Sequence, residues 1–473
     1  MNRLFWSIPI LLFLAQAFFT FNSTSQIRYE EAAESVRNVF WLQKGLIYDG
    51  ASSNVGWYAP LLLFYNLFGF DIFIAKYFRL ALSLISLFCA AALLLRLLGP
   101  KNALLPLIVI GLSPTLLYFN TLGVAYGIDL QYFPIILFLI YNLDFKKKRF
   151  CFFMEFAAWT LSMIAMESYP AFIWYLPFLG LFFLWKLKSV KEKKWHILVS
   201  LISFLSPLLL TFIFIQNRQN LIYDPILKSG IFRAGGSLGF DSGTFASNLG
   251  GFFRDIFSQA DSYHYLLFKG EFSDFYPIAA VVLTLGIFFW QKKSPESPES
   301  KYILGFLLGV LFIVSLVFDP SGAPGIRRYT FVLAAFYMLF VLAWKAGISQ
   351  KQKTTATYIY LGVLSLLLVH HVIVFPFNLL HLSNPSKNQI QTWFKPTPGQ
   401  FLDKLVTNAT QQDLKLNCAD EGINCRYSEV YASVAGSCMW NHRDCKQIYG
   451  FDTQSNQFIP LSTQVWDEYY FDH

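Results

Sequence analysis

Long apolar runs separated by short polar or basic stretches dominate the first 375 residues of the chain. A hydrocarbon core of about 30 Å needs roughly 20 apolar residues of helix to cross it. Eleven runs approach that length, at residues 4–21, 72–97, 103–119, 126–143, 150–167, 170–186, 196–215, 275–291, 302–318, 329–345 and 356–375. The pattern predicts an all-α polytopic membrane protein with about 11 transmembrane helices. Pro106, Pro134, Pro170 and Pro177 fall in or beside the third to sixth runs, where a missing N–H and a fixed φ shift helix boundaries. The first run follows Arg3 and contains Ala15-Gln16-Ala17, so it also fits a cleavable signal sequence. Residue 22 onward lies outside in either case.

Composition agrees with the pattern. Of 473 residues 55% are hydrophobic and only 14% are charged, against about 25% charged in soluble domains. An ordinary cytosolic enzyme or a disordered scaffold is thereby excluded. The net charge of +8 would suit a nucleic-acid partner only if it were gathered on one soluble face. It is instead distributed by topology. With Arg3 inside, alternate connections hold Arg96 and Lys101; Lys146, Lys147, Lys148 and Arg149; Lys186, Lys188, Lys191, Lys193 and Lys194; Lys292, Lys293 and Lys301; and Lys345, Lys351 and Lys353. These 18 basic residues face four acids, Asp144, Glu192, Glu296 and Glu299, a balance of +14 that leaves −6 for the rest of the chain. The alternation follows the positive-inside rule. It predicts a multi-pass plasma (inner) membrane protein with a cytoplasmic N-terminus, and no nucleic-acid partner.

Three long segments then face the extracytoplasmic side: residues 22–71, 216–274 and the tail 376–473. Residues 1–375 form the membrane domain with its outer loops, and 376–473 a separate extracytoplasmic unit, entered through Pro376, Pro385, Pro396 and Pro398. The tail carries Cys418-x6-Cys425-x12-Cys438-x6-Cys445 with only His442 nearby, a spacing that favours disulfides over zinc. Three pairings are compatible with four cysteines, and the oxidising side of the membrane is where such bridges persist. Cys89 and Cys151 fall within or beside spans and read as small packing residues. The glycine- and aromatic-rich stretches Arg233–Phe240 and Gly250–Phe253 read as lid or as inert loop. Asn22-Ser23-Thr24 and Asn408-Ala409-Thr410 are sequons on the outer side.

In the first outer segment, helical spacing puts Ala32, Ala33, Val36, Val39 and Phe40 on one face and Glu30, Glu34, Arg37 and Trp41 on another. This predicts a surface helix stopped by Gly45. Glu30, Glu34 and Arg37 are either a solvated, ion-paired face or the start of a site. The segment continues through Tyr48-Asp49, Gly56-Trp57-Tyr58-Ala59-Pro60-Leu61, Phe68-Gly69 and Arg79-Leu80, and a later stretch reads Gly325-Ile326-Arg327-Arg328-Tyr329. In this order the motifs resemble the GT-C glycosyltransferases, in particular the family of protein O-mannosyltransferases and the lipid A aminoarabinose transferase. Two positions depart from it: the leading Asp is Glu30, and a frequent Tyr four residues on is Glu34.

The resemblance implies a GT-C-like fold to about residue 345, a polyprenyl-phosphate-linked sugar donor, and a glycan, lipid or protein acceptor on the extracytoplasmic side. It implies inversion by direct displacement. A lipid phosphate is a good leaving group, so one general base and cations to hold the phosphate suffice. Glu30, with Glu31 beside it, is the expected base. Arg327, Arg328 and Tyr329, with Arg79, are the expected donor-phosphate residues, since a guanidinium binds phosphate oxygens in pairs. For the arginines, anchoring at the interface is the alternative. Asp49, Tyr58, Asp129 and Glu167 are candidates to line the substrate site. No cofactor is certain, although Glu31, Asp49, Asp129 and Glu167 could hold a divalent metal. His264, His370 and His371 read as loop or interfacial residues. The rival readings are a polytopic transporter or flippase of lipid-linked glycans, which would place binding residues near the midplane, and a non-catalytic GT-C-like membrane protein.

Overall fold

Helices carry most of the membrane part because its apolar runs must satisfy their own backbone groups. A computed structural model describes residues 5–23, 35, 38–43, 45, 54–68, 74–121, 123–145, 148–188, 190–216, 246–250, 305, 309, 330–348, 448–452 and 457–461. Among these the helices are α1 (Ser7–Ser23), α2 (Asn38–Gln43), α3 (Val55–Phe68), α4 (Ile74–Leu98), α5 (Leu104–Gly111), α6 (Pro114–Thr121), α7 (Asp129–Tyr141) and α8 (Lys148–Ser168). A 3₁₀ turn (Pro170–Tyr175), α9 (Leu176–Leu187), α10 (Lys193–Phe214) and α11 (Thr330–Ile348) follow. Three helical stretches are long and apolar enough to cross a membrane: Ile74–Leu98, Phe150–Ser168 and Lys193–Phe214. That is consistent with a membrane protein. The runs at 275–291, 302–318 and 356–375 lie outside the described residues apart from Gly305 and Gly309.

The helices alternate in direction. Tyr175 and Thr330, at or near the starts of α9 and α11, both reach Asp129 at the start of α7. At the opposite end, Trp344 Nε1 in α11 donates to Asn102 O just past α4 (2.7 Å), and Lys186 in α9 donates to carbonyls at the end of α7. The helices α4, α7, α9 and α11 therefore run together. The helix α1 opposes them, with Trp6 stacked on Phe88 and Thr20 Oγ1 donating to Asn120 O. So does α10, whose early residue His196 packs on Phe145 just beyond α7. Arg96, Lys101, Lys186, Lys188, Lys191, Lys193, Lys194 and Lys345 all fall at one end of the bundle, here called the basic end. The other end, carrying Asp129, is called the acidic end.

Two expectations need correction. The run 103–119 is not one helix but α5 and α6, broken at Leu112 and Ser113. Pro114 supplies the reason, since it disfavours α geometry in the residue before it. Ser113 then starts α6, its Oγ accepting from Leu116 N at 3.5 Å. The freed carbonyl of Gly111 accepts from the buried Gln16 Nε2 at 2.7 Å.

The segment 22–71, expected to be an outer loop, contains α3, which is part of the core. Trp57, Leu61 and Tyr65 are buried in the same apolar cluster as Met163, Ala165 and Met166 of α8. Gly56 makes this approach possible: a Cβ there would lie 2.2 Å from Ile164 O and 2.7 Å from Ser168 N. Upstream, α2 ends where the spacing predicts. Gly45 takes φ +73°, its N–H donates to Leu42 O at 2.9 Å, and its carbonyl accepts from Gln216 N at 2.7 Å.

In the tail, β1 (Ile448–Asp452) and β2 (Gln457–Leu461) pair antiparallel, with Gly450 opposite Ile459. Cys418, Cys425, Cys438 and Cys445 lie outside the described residues. Cys89 and Cys151 are free thiols.

Candidate functional site

At the acidic end, short-range backbone features place charges inside the protein. Gly127 at φ +68° turns the chain into α7, and a Cβ there would meet Phe119 Cδ2 at 2.4 Å. Asp129 therefore opens α7 facing inward, fully buried. Its Oδ2 accepts from Tyr175 Oη at 2.9 Å and from Thr330 Oγ1 at 2.6 Å. Arg79, in the second turn of α4, is also fully buried and lies within electrostatic range of Asp129. Its Nε donates to Asn120 Oδ1 at 3.4 Å, its Nη1 to Val124 O, and its guanidinium carbon is 6.0 Å from the Phe119 ring centroid.

The network continues toward the broken helix. Asn120 Oδ1 also accepts from Gln131 Nε2 at 2.6 Å, and Asn120 Nδ2 donates to Ser83 Oγ at 3.4 Å. Ser83 Oγ in turn donates to Gln16 Oε1 at 2.6 Å. In this region three buried atoms have no hydrogen-bond partner among the described residues, Arg79 Nη2, Asp129 Oδ1 and Gln131 Oε1. Buried polar groups are paired in the great majority of cases. One donor and two acceptors left over, two of them in the Arg79–Asn120–Gln131 network and one on Asp129 within electrostatic range of it, mark a place where a polar ligand group or water would be held.

Toward the basic end, α8 and α10 enclose a second polar group. Glu155 is fully buried; its Oε2 lies 2.6 Å from His196 Nδ1 and its Oε1 accepts from Ser200 Oγ at 2.8 Å. The His196 ring is stacked on Phe152 (5.1 Å) and edge-on to Phe145 (4.8 Å). Cys151, one turn before Glu155, offers its sulfur to the same cluster.

Among the sequence-level candidates, Arg79 and Asp129 are brought together. Tyr58 is buried as well and accepts from Asn38 Nδ2 at 3.0 Å. Glu167, almost fully buried at the end of α8, faces the Thr211 hydroxyl. Asp129 and Glu167 thus engage different neighbours, and the one group of three or more His, Cys, Asp or Glu ligands among the described residues contains neither. Glu30, Glu31, Asp49, Arg327, Arg328 and Tyr329 lie outside the described residues. Glu155 and His196 went unread in the sequence. A carboxylate in the middle of the run 150–167 was the available signal, but its partner is 41 residues away on another helix. Lys76, also buried, carried no such signal beyond its place in an apolar run.

No protein-family model matches the chain, and comparison with curated proteins gives no match, so the GT-C likeness stands on the motifs and their order alone.

Proposed function

We propose that the protein transfers a sugar from a polyprenyl-phosphate-linked donor to an acceptor, at a site on the acidic end of the bundle. The observation that carries the reading is the buried Arg79, with its unsatisfied Nη2 and with the buried Asp129 in electrostatic range, where four helices begin. A cation held rigidly in a low-dielectric setting is suited to a phosphate leaving group. Arg327, Arg328 and Tyr329 directly precede Thr330, whose hydroxyl is already bonded to Asp129. In the proposed step Glu30 takes the acceptor proton, the acceptor oxygen or nitrogen bonds to the anomeric carbon with inversion, and the carbon–oxygen bond to phosphate breaks. The electron pair leaves with the polyprenyl phosphate, whose charge the arginines balance. The basic end faces the cytoplasm in this reading, which puts donor, acceptor and the cysteine tail on the outer side, and the remaining apolar runs bring the spans to about 11.

The test is incorporation of labelled sugar from polyprenyl-phosphate mannose and polyprenyl-phosphate aminoarabinose into membrane acceptors. Glu30→Gln is expected to lower transfer by about 10²-fold or more, and Arg79→Gln to lower it while the protein stays folded. Full activity in Glu30→Gln would sink the base assignment. One observation favours a second reading, transport of a lipid-linked glycan: the break between α5 and α6, with Gln16, Ser83 and Asn120 lined up beside it, is the discontinuous helix from which transporters build sites. Label that crosses vesicles unchanged, without transfer, would support that reading instead.

A further inference from the structure

We propose that Cys151, Glu155 and His196 form a zinc-type metal site that clips α10 to α8 near the basic end. This inference is independent of the transferase reading, which concerns the other end of the bundle.

The ligand atoms of the three residues lie within 4.8 Å of one another, and all three residues are buried. Tetrahedral zinc, with metal–sulfur near 2.3 Å and metal–nitrogen or –oxygen near 2.0 Å, needs ligand separations of about 3.3–3.6 Å. The sulfur must close in by a fraction of an ångström to about 1.5 Å, and the 2.6 Å Glu155–His196 contact must open by a similar amount. Side-chain torsions alone can supply both. Thiolate, imidazole and carboxylate together suit zinc rather than calcium or magnesium, which prefer all-oxygen shells.

Spacing and support fit the same purpose. Cys151 and Glu155 are one turn apart on α8, and His196 and Ser200 one turn apart on α10, so the four side chains meet across one helix pair. Ser200 orients the carboxylate through Glu155 Oε1, and Phe145 and Phe152 fix the imidazole plane. Three protein ligands leave a fourth position for water or the Ser200 hydroxyl.

Charge gives the physical reason to expect an ion. With Cys151 as thiolate, Glu155 as carboxylate and His196 as neutral imidazole, the forms that bind a metal, a dication brings the assembly to zero net charge, and any protons displaced pass to solvent. A neutral assembly can sit in an apolar bundle, where a net charge is costly. Lys186 and Asp144 are the other charged groups within electrostatic range of Cys151, and they are opposite in sign. The clip also matters for packing, since most of α10 faces away from the protein: Trp195, Leu198, Leu201, Ile202, Leu205 and Leu209 are exposed.

The full-length protein, purified in detergent without reductant, is titrated with Co²⁺ and then Zn²⁺. One tightly bound equivalent is expected, with a thiolate-to-cobalt charge-transfer band in the near ultraviolet that Zn²⁺ abolishes. Cys151→Ser should remove that band, and His196→Gln should weaken binding at least tenfold, with both variants monodisperse and helical. Absence of a stoichiometric Co²⁺ band in the wild-type protein overturns the proposal. A band unchanged in Cys151→Ser also overturns it, because the metal is then held elsewhere on the chain. Should either variant lose its fold, removal of metal from the wild-type protein by a chelator decides: the melting temperature is expected to fall, and an unchanged melt with no bound metal before or after refutes the clip.

Discussion

Replacing Asp129 by Ala tests the acidic-end network most directly. The substitution removes the acceptor of two buried hydroxyls, Tyr175 Oη at 2.9 Å and Thr330 Oγ1 at 2.6 Å, and takes away the carboxylate within electrostatic range of Arg79. Interhelical hydrogen bonds in membrane proteins average about 0.6 kcal/mol and reach about 1.7, so the two hydroxyls together account for about 1–3 kcal/mol. Arg79 and Asp129 influence each other through space without a direct ion pair, so loss of that attraction adds to the cost by less than the breaking of a contacting buried pair would. The residual bonds of Arg79 to Asn120 and Val124 reduce that second part. Asp129→Ala is therefore expected to destabilise the protein by about 2–3 kcal/mol, whereas Tyr175→Phe alone should cost about 0.6–1.7. Equilibrium unfolding in mixed detergent micelles, followed by helicity, measures both. A double variant, Arg79→Met with Asp129→Ala, should fall short of the summed losses by at least about 1 kcal/mol, as expected for coupled neighbours. If Asp129→Ala costs no more than Tyr175→Phe, or if the double variant is additive, the carboxylate does not face Arg79 and the proposed anchor of the donor site fails.

Three further substitutions probe other joints of the fold by the same assay. Gly56→Ala places a methyl 2.2 Å from Ile164 O, a backbone atom that cannot swing away, and is expected to cost about 1–3 kcal/mol by forcing α3 off α8. A neutral result would show that the two helices are not in close contact. Lys186→Met removes the ammonium that caps Ile140 O and Leu143 O (3.2 Å each) and Tyr141 O, with an expected loss of about 1–2 kcal/mol; Lys186→Arg should recover part of it. Gly45→Ala, at φ +73° with the Gln216 side chain and Phe214 O each 3.3 Å from the new methyl, should cost about 1 kcal/mol or more. Gly45→Asn, which tolerates that φ, should restore stability relative to Ala if backbone conformation rather than space is the constraint.

Where the sequence was legible, the signal was local. The run 72–97 became Ile74–Leu98, 196–215 became Lys193–Phe214, and 329–345 became Thr330–Ile348, each displaced by a few residues at most. Helix length against bilayer thickness is a property of contiguous residues. The Gly45 stop was legible for a similar reason, since a left-handed residue after an apolar helical stretch calls for glycine. The break at Leu112 and Ser113 could have been read from Pro114, but Gln16 as the partner of the freed Gly111 carbonyl could not. The helix α3 was missed because its glycine, tryptophan and proline look like a loop, and it is packing against α8 that buries Gly56 and Trp57.

Sequence alone thus determined that this is a chain of apolar helices whose connections around Arg96, Lys101, Lys186–Lys194 and Lys345 are basic, because hydrophobicity and charge act on each segment wherever its neighbours are. Tertiary structure decided which polar residues meet. Lipid is as apolar as leucine, so hydrophobicity does not choose partners between helices; close packing and buried hydrogen bonds do. Those are what bring Arg79 into range of Asp129, Asp129 to Thr330 across 201 positions of chain, and Glu155 to His196.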